Sequence, residues 1–157
     1  MDKVFAWAAD NGFNITFPDE KQPLPEGITA RYGNIPQGYT DFAARLAEFT
    51  NAGETAWFIT PSGFAEADPE KWRYNEFELM SLEAAEGDAE WQGEITEFWN
   101  NHLPIALNVD GGYSYYALSM TDGSIVHGCE PEFEETENVA DSFEEFIEKL
   151  ISGEIEL

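Results

Sequence analysis

Ile105-Ala106-Leu107-Asn108-Val109, Asp110-Gly111-Gly112, Tyr113-Ser114-Tyr115-Tyr116-Ala117-Leu118-Ser119-Met120, then Asp122-Gly123 and Ser124-Ile125-Val126-His127 form the stretch on which the fold turns. The three runs are short and rich in apolar, aromatic and β-branched residues, and each gap between them holds an Asp-Gly pair. A tight hairpin turn needs residues that tolerate positive φ, so Asp-Gly between strand-forming runs specifies an antiparallel meander.

Downstream, Ser142 with Glu145 three residues on has the capping-box pattern, which satisfies amide donors left free at a helix start. Phe143, Phe146, Ile147, Leu150 and Ile151 follow at i, i+3, i+4, i+7 and i+8, one apolar helix face, and Gly153 supplies the stop. Upstream, Asp88 is placed to cap a helix with the stripe Trp91, Ile95, Phe98, Trp99 and His102. That helix must end by Leu103, because the residue before Pro104 is driven out of helical φ/ψ space. Val4, Trp7 and Ala8, with Gly12 beyond, predict a first helix over residues 2–11. Pro36 suits a first helical turn, where its missing N–H costs nothing; Tyr39, Phe42, Ala43 and Leu46 continue that helix towards a stop at Asn51 and Gly53. Ala56 to Thr60 reads as a strand closed by Pro61-Ser62-Gly63, and Phe77 to Leu82 as a further strand. The proline-rich stretch from Phe17 to Arg31 reads mostly as coil. With no repeat and no long linker, the expectation is α+β: one domain over residues 1–157, a twisted antiparallel sheet with helices packed around it.

A chain of 157 residues, 43% hydrophobic and 15% aromatic, builds a core without staples and is unlike a disordered acidic polypeptide. Cys129 is the single cysteine and closes no internal disulfide. Asp10 arrives before an apolar run of about 7–15 residues, as a signal peptide needs, can develop, and no run approaches the length of a membrane span, so a cytoplasmic protein is expected. Charge is the strongest compositional signal, with 32 Asp and Glu against 7 Lys and Arg, a net −25. Phosphate binding needs clustered cations, whereas Arg31, Arg45, Lys71, Arg73 and Lys149 are scattered singly. Nucleic acid and anionic membrane are therefore not expected as partners, and a basic protein is favoured. The same charge also serves solubility alone.

Catalytic chemistry has little to work with. His102 continues an apolar stripe and reads as a partly buried structural histidine. His127 and Cys129, with Glu130 beside them, fall short of a zinc site, which needs three or four ligands. Asn108-Val109-Asp110-Gly111 fails as a calcium loop: with Gly111 sixth, the first and twelfth positions are Ala106 and Ala117, which supply no carboxylate. Among 32 acids a close carboxylate pair carries no information, and neither a phosphate-cradling glycine loop nor a nucleophile elbow is present. No catalytic residue, cofactor or metal is assigned, and a non-enzyme is expected.

Ile35-Pro36-Gln37-Gly38-Tyr39-Thr40-Asp41-Phe42, followed by Asn51 and then Trp57-Phe58, resembles a motif of the SUKH superfamily. These Smi/Knr proteins include fungal cell-wall synthesis regulators and many bacterial immunity proteins, and their early helix opens with a hydrophobic-Pro-x-x-Tyr-x-x-Phe pattern. Leu103-Pro104-Ile105-Ala106, Gly111-Gly112-Tyr113, Tyr116-Ala117-Leu118, Gly123-Ser124-Ile125-Val126 and Val139 to Phe146 follow the family's order of elements. The resemblance covers residues 30–151. It departs at Phe49 to Gly53, looser than the family's Asn-Gly turn, and offers no counterpart for Ser62 to Glu76.

The resemblance implies an α+β protein-binding module and, among bacterial members, neutralisation of a cognate toxin, often a nuclease, by occupying its active or binding surface. An acidic inhibitor is drawn to a cationic cleft at rates approaching roughly 10⁸–10⁹ M⁻¹s⁻¹ at low salt. The expected partner surface is the acidic stretch Glu130, Glu132, Glu134, Glu135 and Glu137, with Tyr113, Tyr115 and Tyr116 as aromatic anchors. Each glutamate also reads as part of a solvated loop and the tyrosines also read as core, and strand alternation sends Tyr115 and Tyr116 to opposite faces. An immunity protein against a basic toxin ranks first, a regulatory scaffold of the cell-wall type second, and an enzyme third.

Overall fold

The chain is described over residues 1–157 by a computed structural model. In chain order the elements are α1 (Asp2–Asp10), β1 (Phe13–Thr16), α2 (Glu26–Arg31), α3 (Gln37–Ala43), β2 (Glu48–Asn51), β3 (Ala56–Phe58), α4 (Pro61–Phe64), α5 (Glu76–Ala84), α6 (Ala89–Asn100), β4 (His102–Asn108), β5 (Ser114–Ser119), β6 (Ile125–Cys129), β7 (Thr136–Ala140) and α7 (Phe143–Ser152). The seven strands form one sheet in the order β1 to β7, every neighbouring pair antiparallel. The Asp-Gly turns place β4, β5 and β6 as expected, and the same meander runs on through both edges.

Register decides what each face carries. Phe58 lies opposite Ala106, Ala106 opposite Tyr116, and Tyr116 opposite His127, a file across one face of the sheet. One residue along, Trp57, Leu107, Tyr115 and Gly128 make the file on the other face. Helices cover both. On the first face α3 and α7 pack through Phe42 and Phe146, whose rings stand 5.0 Å from Phe58 and 5.0 Å from Tyr116 respectively. On the second, α5 and α6 pack through Phe77 and Trp99, at 6.0 and 4.9 Å from the Tyr115 ring. The result is three layers around a continuous cluster of 34 buried apolar residues.

Local chemistry sets the helix ends. The Ser142 hydroxyl accepts the Glu145 N–H at 3.2 Å, and the Glu145 carboxylate accepts from the Asp141 N–H at 2.7 Å, one residue earlier than the reciprocal box requires. Gly153, at φ +80°, closes α7 in the left-handed conformation. Asp88 caps α6 by accepting the Trp91 N–H at 3.0 Å.

Four expectations need correction. Phe77 to Leu82 lies in α5, not in a strand: Phe77, Ser81 and Ala85 are buried at four-residue spacing, and Glu76 and Glu78 place negative charge in the first turn, where the helix dipole favours it. Within Phe17 to Arg31, read mostly as coil, residues 17–25 are irregular as expected, but α2 starts after Pro25 and buries Ile28. The second helix stops at Ala43, and the segment expected to end it holds β2, which buries Phe49 and Thr50 and pairs with β1 over four residues. His102 opens β4 and does not close α6; its ring stacks on Phe98 at 4.1 Å, its Nδ1 lies 2.8 Å from the Phe98 carbonyl oxygen, and burial lowers its pKa. Pro104 is tolerated in β4 because the ladder shifts register between Pro104 and Ala106. No helix is long and apolar enough to cross a membrane.

Candidate partner-binding surface

The acidic stretch joins β6 to β7 and is held to the body at several points. Phe133 enters the core and stacks on Phe77 with centroids 4.6 Å apart and planes within 6°. The Tyr115 hydroxyl donates to the Phe133 carbonyl, and Trp99 Nε1–H donates to the Glu134 carboxylate at 2.9 Å. The Glu130 carboxylate accepts the Tyr113 N–H at 3.0 Å while the Glu130 N–H donates to the Tyr113 carbonyl at 2.9 Å, which ties the stretch to the Asp110–Gly112 turn. Glu130 and Glu134 therefore spend their carboxylates on internal contacts. Glu132 and Glu135 are exposed and unpaired, and Glu137, on the edge strand β7, stands 74% exposed with an oxygen 3.5 Å from His127 Nδ1.

The three tyrosines are not brought together. Tyr115 is 1% exposed, so it is core and no surface anchor; burial raises the pKa of its hydroxyl. Strand alternation puts Tyr116 on the opposite face, where its hydroxyl donates to the Glu156 carbonyl at 2.7 Å. There burial, with Glu137 and Glu156 nearby, pushes its pKa up to about 12. Tyr113 is partly buried, stacked on Phe77 at 5.8 Å and edge-on to Trp72 at 5.2 Å.

Beyond this stretch the charge is spread and largely uncompensated. Arg31, Arg45, Lys71, Arg73 and Lys149 pair with Glu78, Asp2, Glu66, Glu76 and Glu145 at 2.7 to 3.4 Å. Lys3 and Lys21 have no such partner, and 27 of the 32 acids form no ion pair with Lys or Arg. No group of three or more His, Cys, Asp or Glu side chains is arranged to hold a metal ion.

Sequence reasoning missed a cleft of about 480 Å³, which lies where no helix covers the second face of the sheet. Its floor is Trp57 and Leu107, and its wall is the segment between α4 and α5, the stretch for which the sequence offered no geometry. There the Glu66 carboxylate accepts the Ala67 and Asp68 N–H groups at 3.1 and 3.0 Å, and the Asp68 carboxylate accepts the Glu70 N–H at 2.9 Å. Those turns carry Trp72 back over β3, its ring 6.3 Å from that of Trp57 and 39% of its surface still exposed. Trp57, partly buried beside a fully buried Phe58, was visible in the sequence as part of a strand and of the family-like motif, with nothing to mark it as lining a cleft.

The sequence profile of the SMI1 / KNR4 family (SUKH-1) matches residues 28–149. The chain belongs to the SMI1/KNR4 family. No curated protein and no solved structure matches it. Within this SMI1/KNR4 chain the matched region takes in the sheet from β2 to β7, the acidic stretch and the whole of the Trp57–Trp72 cleft, while α1 and β1 lie outside it. The motif from Ile35 to Phe42 turns out to be architectural. Pro36 precedes α3, and Tyr39 and Phe42 are buried against Phe143 at 5.3 and 5.2 Å, joining α3 to α7.

Proposed function

We propose that this SMI1/KNR4 chain is a non-catalytic protein-binding module that acts as an immunity protein, neutralising a basic toxin inside the cell that makes it. The observation that carries this reading is the excess of carboxylates without a cationic partner, 27 of 32, on a folded and aromatic-rich body. A surface so charged repels nucleic acid and anionic lipid and attracts a cationic protein cleft. The acidic stretch supports it further, because Phe133, Tyr115 and Trp99 pin the loop from inside while Glu132, Glu135 and Glu137 remain outside. A loop ordered before binding loses little entropy on docking.

Co-expression with a toxin encoded beside this gene tests the reading. Growth is rescued if it holds, and the purified complex weakens as salt rises. Reversing Glu132, Glu135 and Glu137 together to lysine, all at exposed positions, leaves the fold intact and weakens the complex at least tenfold. Failure to rescue growth against every neighbouring toxin candidate overturns the immunity reading.

A further inference from the structure

We propose that the Trp57–Trp72 cleft is a docking site for an arginine side chain carried on an exposed segment of a partner protein. Two indoles stand 6.3 Å apart at its floor and wall, and one of them, Trp72, remains 39% exposed, one of three aromatic side chains left so open, with Phe17 and Trp91. The cleft is about 480 Å³ and is lined also by Glu48, Glu54 and Glu70. None of these three carboxylates is engaged in a side-chain hydrogen bond or an ion pair, and the one cation at the cleft, Lys71, is turned onto Glu66 at 3.4 Å. A flat cation is the ligand that satisfies both halves of such a site. Guanidinium stacks on indole faces and is more weakly hydrated than an ammonium, so it enters an apolar slot at lower cost while the carboxylate rim meets its charge.

Glu54 adds a separate argument. It is the sole residue other than glycine with positive φ, at +54°, in the turn between β2 and β3. The Asn51 side chain organises that turn by accepting the Thr55 and Ala56 N–H groups at 2.8 and 3.2 Å. A glycine would sit there without strain, yet the position at the lip of the cleft holds a carboxylate.

The inference rests on the proposed function only for the partner being a basic protein; recognition of guanidinium is measured without any toxin. The probe is a capped five-residue peptide with one central arginine between glycines, titrated into the full chain at low salt and followed through the indole N–H signals of the five tryptophans by NMR. The Trp57 and Trp72 signals move together and saturably, those of Trp7 and Trp91 do not, and the counterpart with citrulline in place of arginine binds at least tenfold more weakly. Trp72→Ala lowers the affinity at least tenfold, whereas Trp91→Ala, at the other well-exposed tryptophan, leaves it unchanged. Glu54→Gly weakens the peptide several-fold while the chain unfolds at the same or a higher temperature, a combination that a merely structural role for Glu54 does not produce.

Equal binding of the citrulline peptide, or shifts spread over the acidic surface with Trp57 and Trp72 unmoved, overturns the proposal. Rescue from a toxin that survives Trp72→Ala removes the cleft from the interface and leaves the immunity reading standing. Peptide capture in the cleft without rescue by any toxin does the reverse.

Discussion

Gly128 lies directly across the β5–β6 pair from Tyr115, and the phenol ring folds over it so closely that a Cβ at residue 128 would meet ring atoms at 2.5 to 2.6 Å. The contact explains a glycine in the middle of a buried strand, where its lost side chain and flexible backbone otherwise weaken the ladder. It also links the sheet to the acidic stretch, because the same phenol donates to the Phe133 carbonyl. Gly128→Ala is therefore expected to cost about 1–3 kcal/mol by forcing the ring off its rotamer, read as a lower urea midpoint at unchanged slope. Gly128→Ala combined with Tyr115→Phe should lose less than the sum of the two single changes, since both act on the same ring. Tyr115 itself was legible in the sequence as one of three tyrosines within four residues. Which of them faces the core was not, because alternation fixes only that Tyr115 and Tyr116 point apart, and the choice between faces is made by α6 and α7.

Helices and strands were legible in proportion to the strength of their ends and periods. The caps at Asp88 and Ser142 and the two Asp-Gly turns are local signals, complete within four residues, and the elements they predict are present. The edge strands β1 and β7 have no such signal: four or five residues long, with alternating or mostly exposed side chains, they exist because a neighbour offers a ladder. The second strand of the sheet is likewise hidden, since Phe49 and Thr50 follow a helical stripe without a break. Misreading α5 has a different cause. Its buried set includes a charged residue, Glu78, at 6% exposure, so apolar periodicity was blurred at the position that matters most. Glu78 receives both terminal nitrogens of Arg31, at 2.7 and 2.9 Å, while Arg31 Nε–H donates to the Asn100 side chain at 3.0 Å; one cation thus joins α2, α5 and α6. Burial works against the Arg31 charge, but the hydrogen bond to Glu78, the neighbouring Tyr32 and Tyr74 and the Glu78 charge together outweigh it, and the pKa stands above its usual value. Removing only one partner leaves a charge without its counter-ion in a place that solvent reaches poorly. Glu78→Ala is expected to destabilise the fold by about 1–3 kcal/mol, less than for a fully buried pair because the Arg31 side chain keeps 22% exposure. Replacing both, Arg31→Met with Glu78→Leu, should recover most of that loss, with chemical denaturation of the three variants completing the cycle.

At the scale of the whole molecule, the acidic surface carries opposite consequences for the free chain and for a complex. With a net charge of −25, every unpaired carboxylate repels the others more strongly in the compact state than in an expanded chain, so the surface proposed to capture a basic partner also weakens the fold that presents it. Raising ionic strength from 0.01 M to 0.15 M shortens the screening length from about 30 Å to about 8 Å, which suppresses repulsion across the molecule while sparing the close ion pairs at Glu78 and Glu145. The free protein is expected to gain about 1 kcal/mol over that range, or about 2–4 °C in Tm for a chain of this size. The complex with a basic partner should move the other way and lose about tenfold or more in affinity, mostly through slower association, because steering depends on the same unscreened field. Calorimetry of the free chain in NaCl at neutral pH checks the first slope, and stopped-flow association at matched salt checks the second. A Tm that is flat or falls with added NaCl would show that the carboxylates are not in mutual repulsion, and would remove the electrostatic reason for a basic partner along with it.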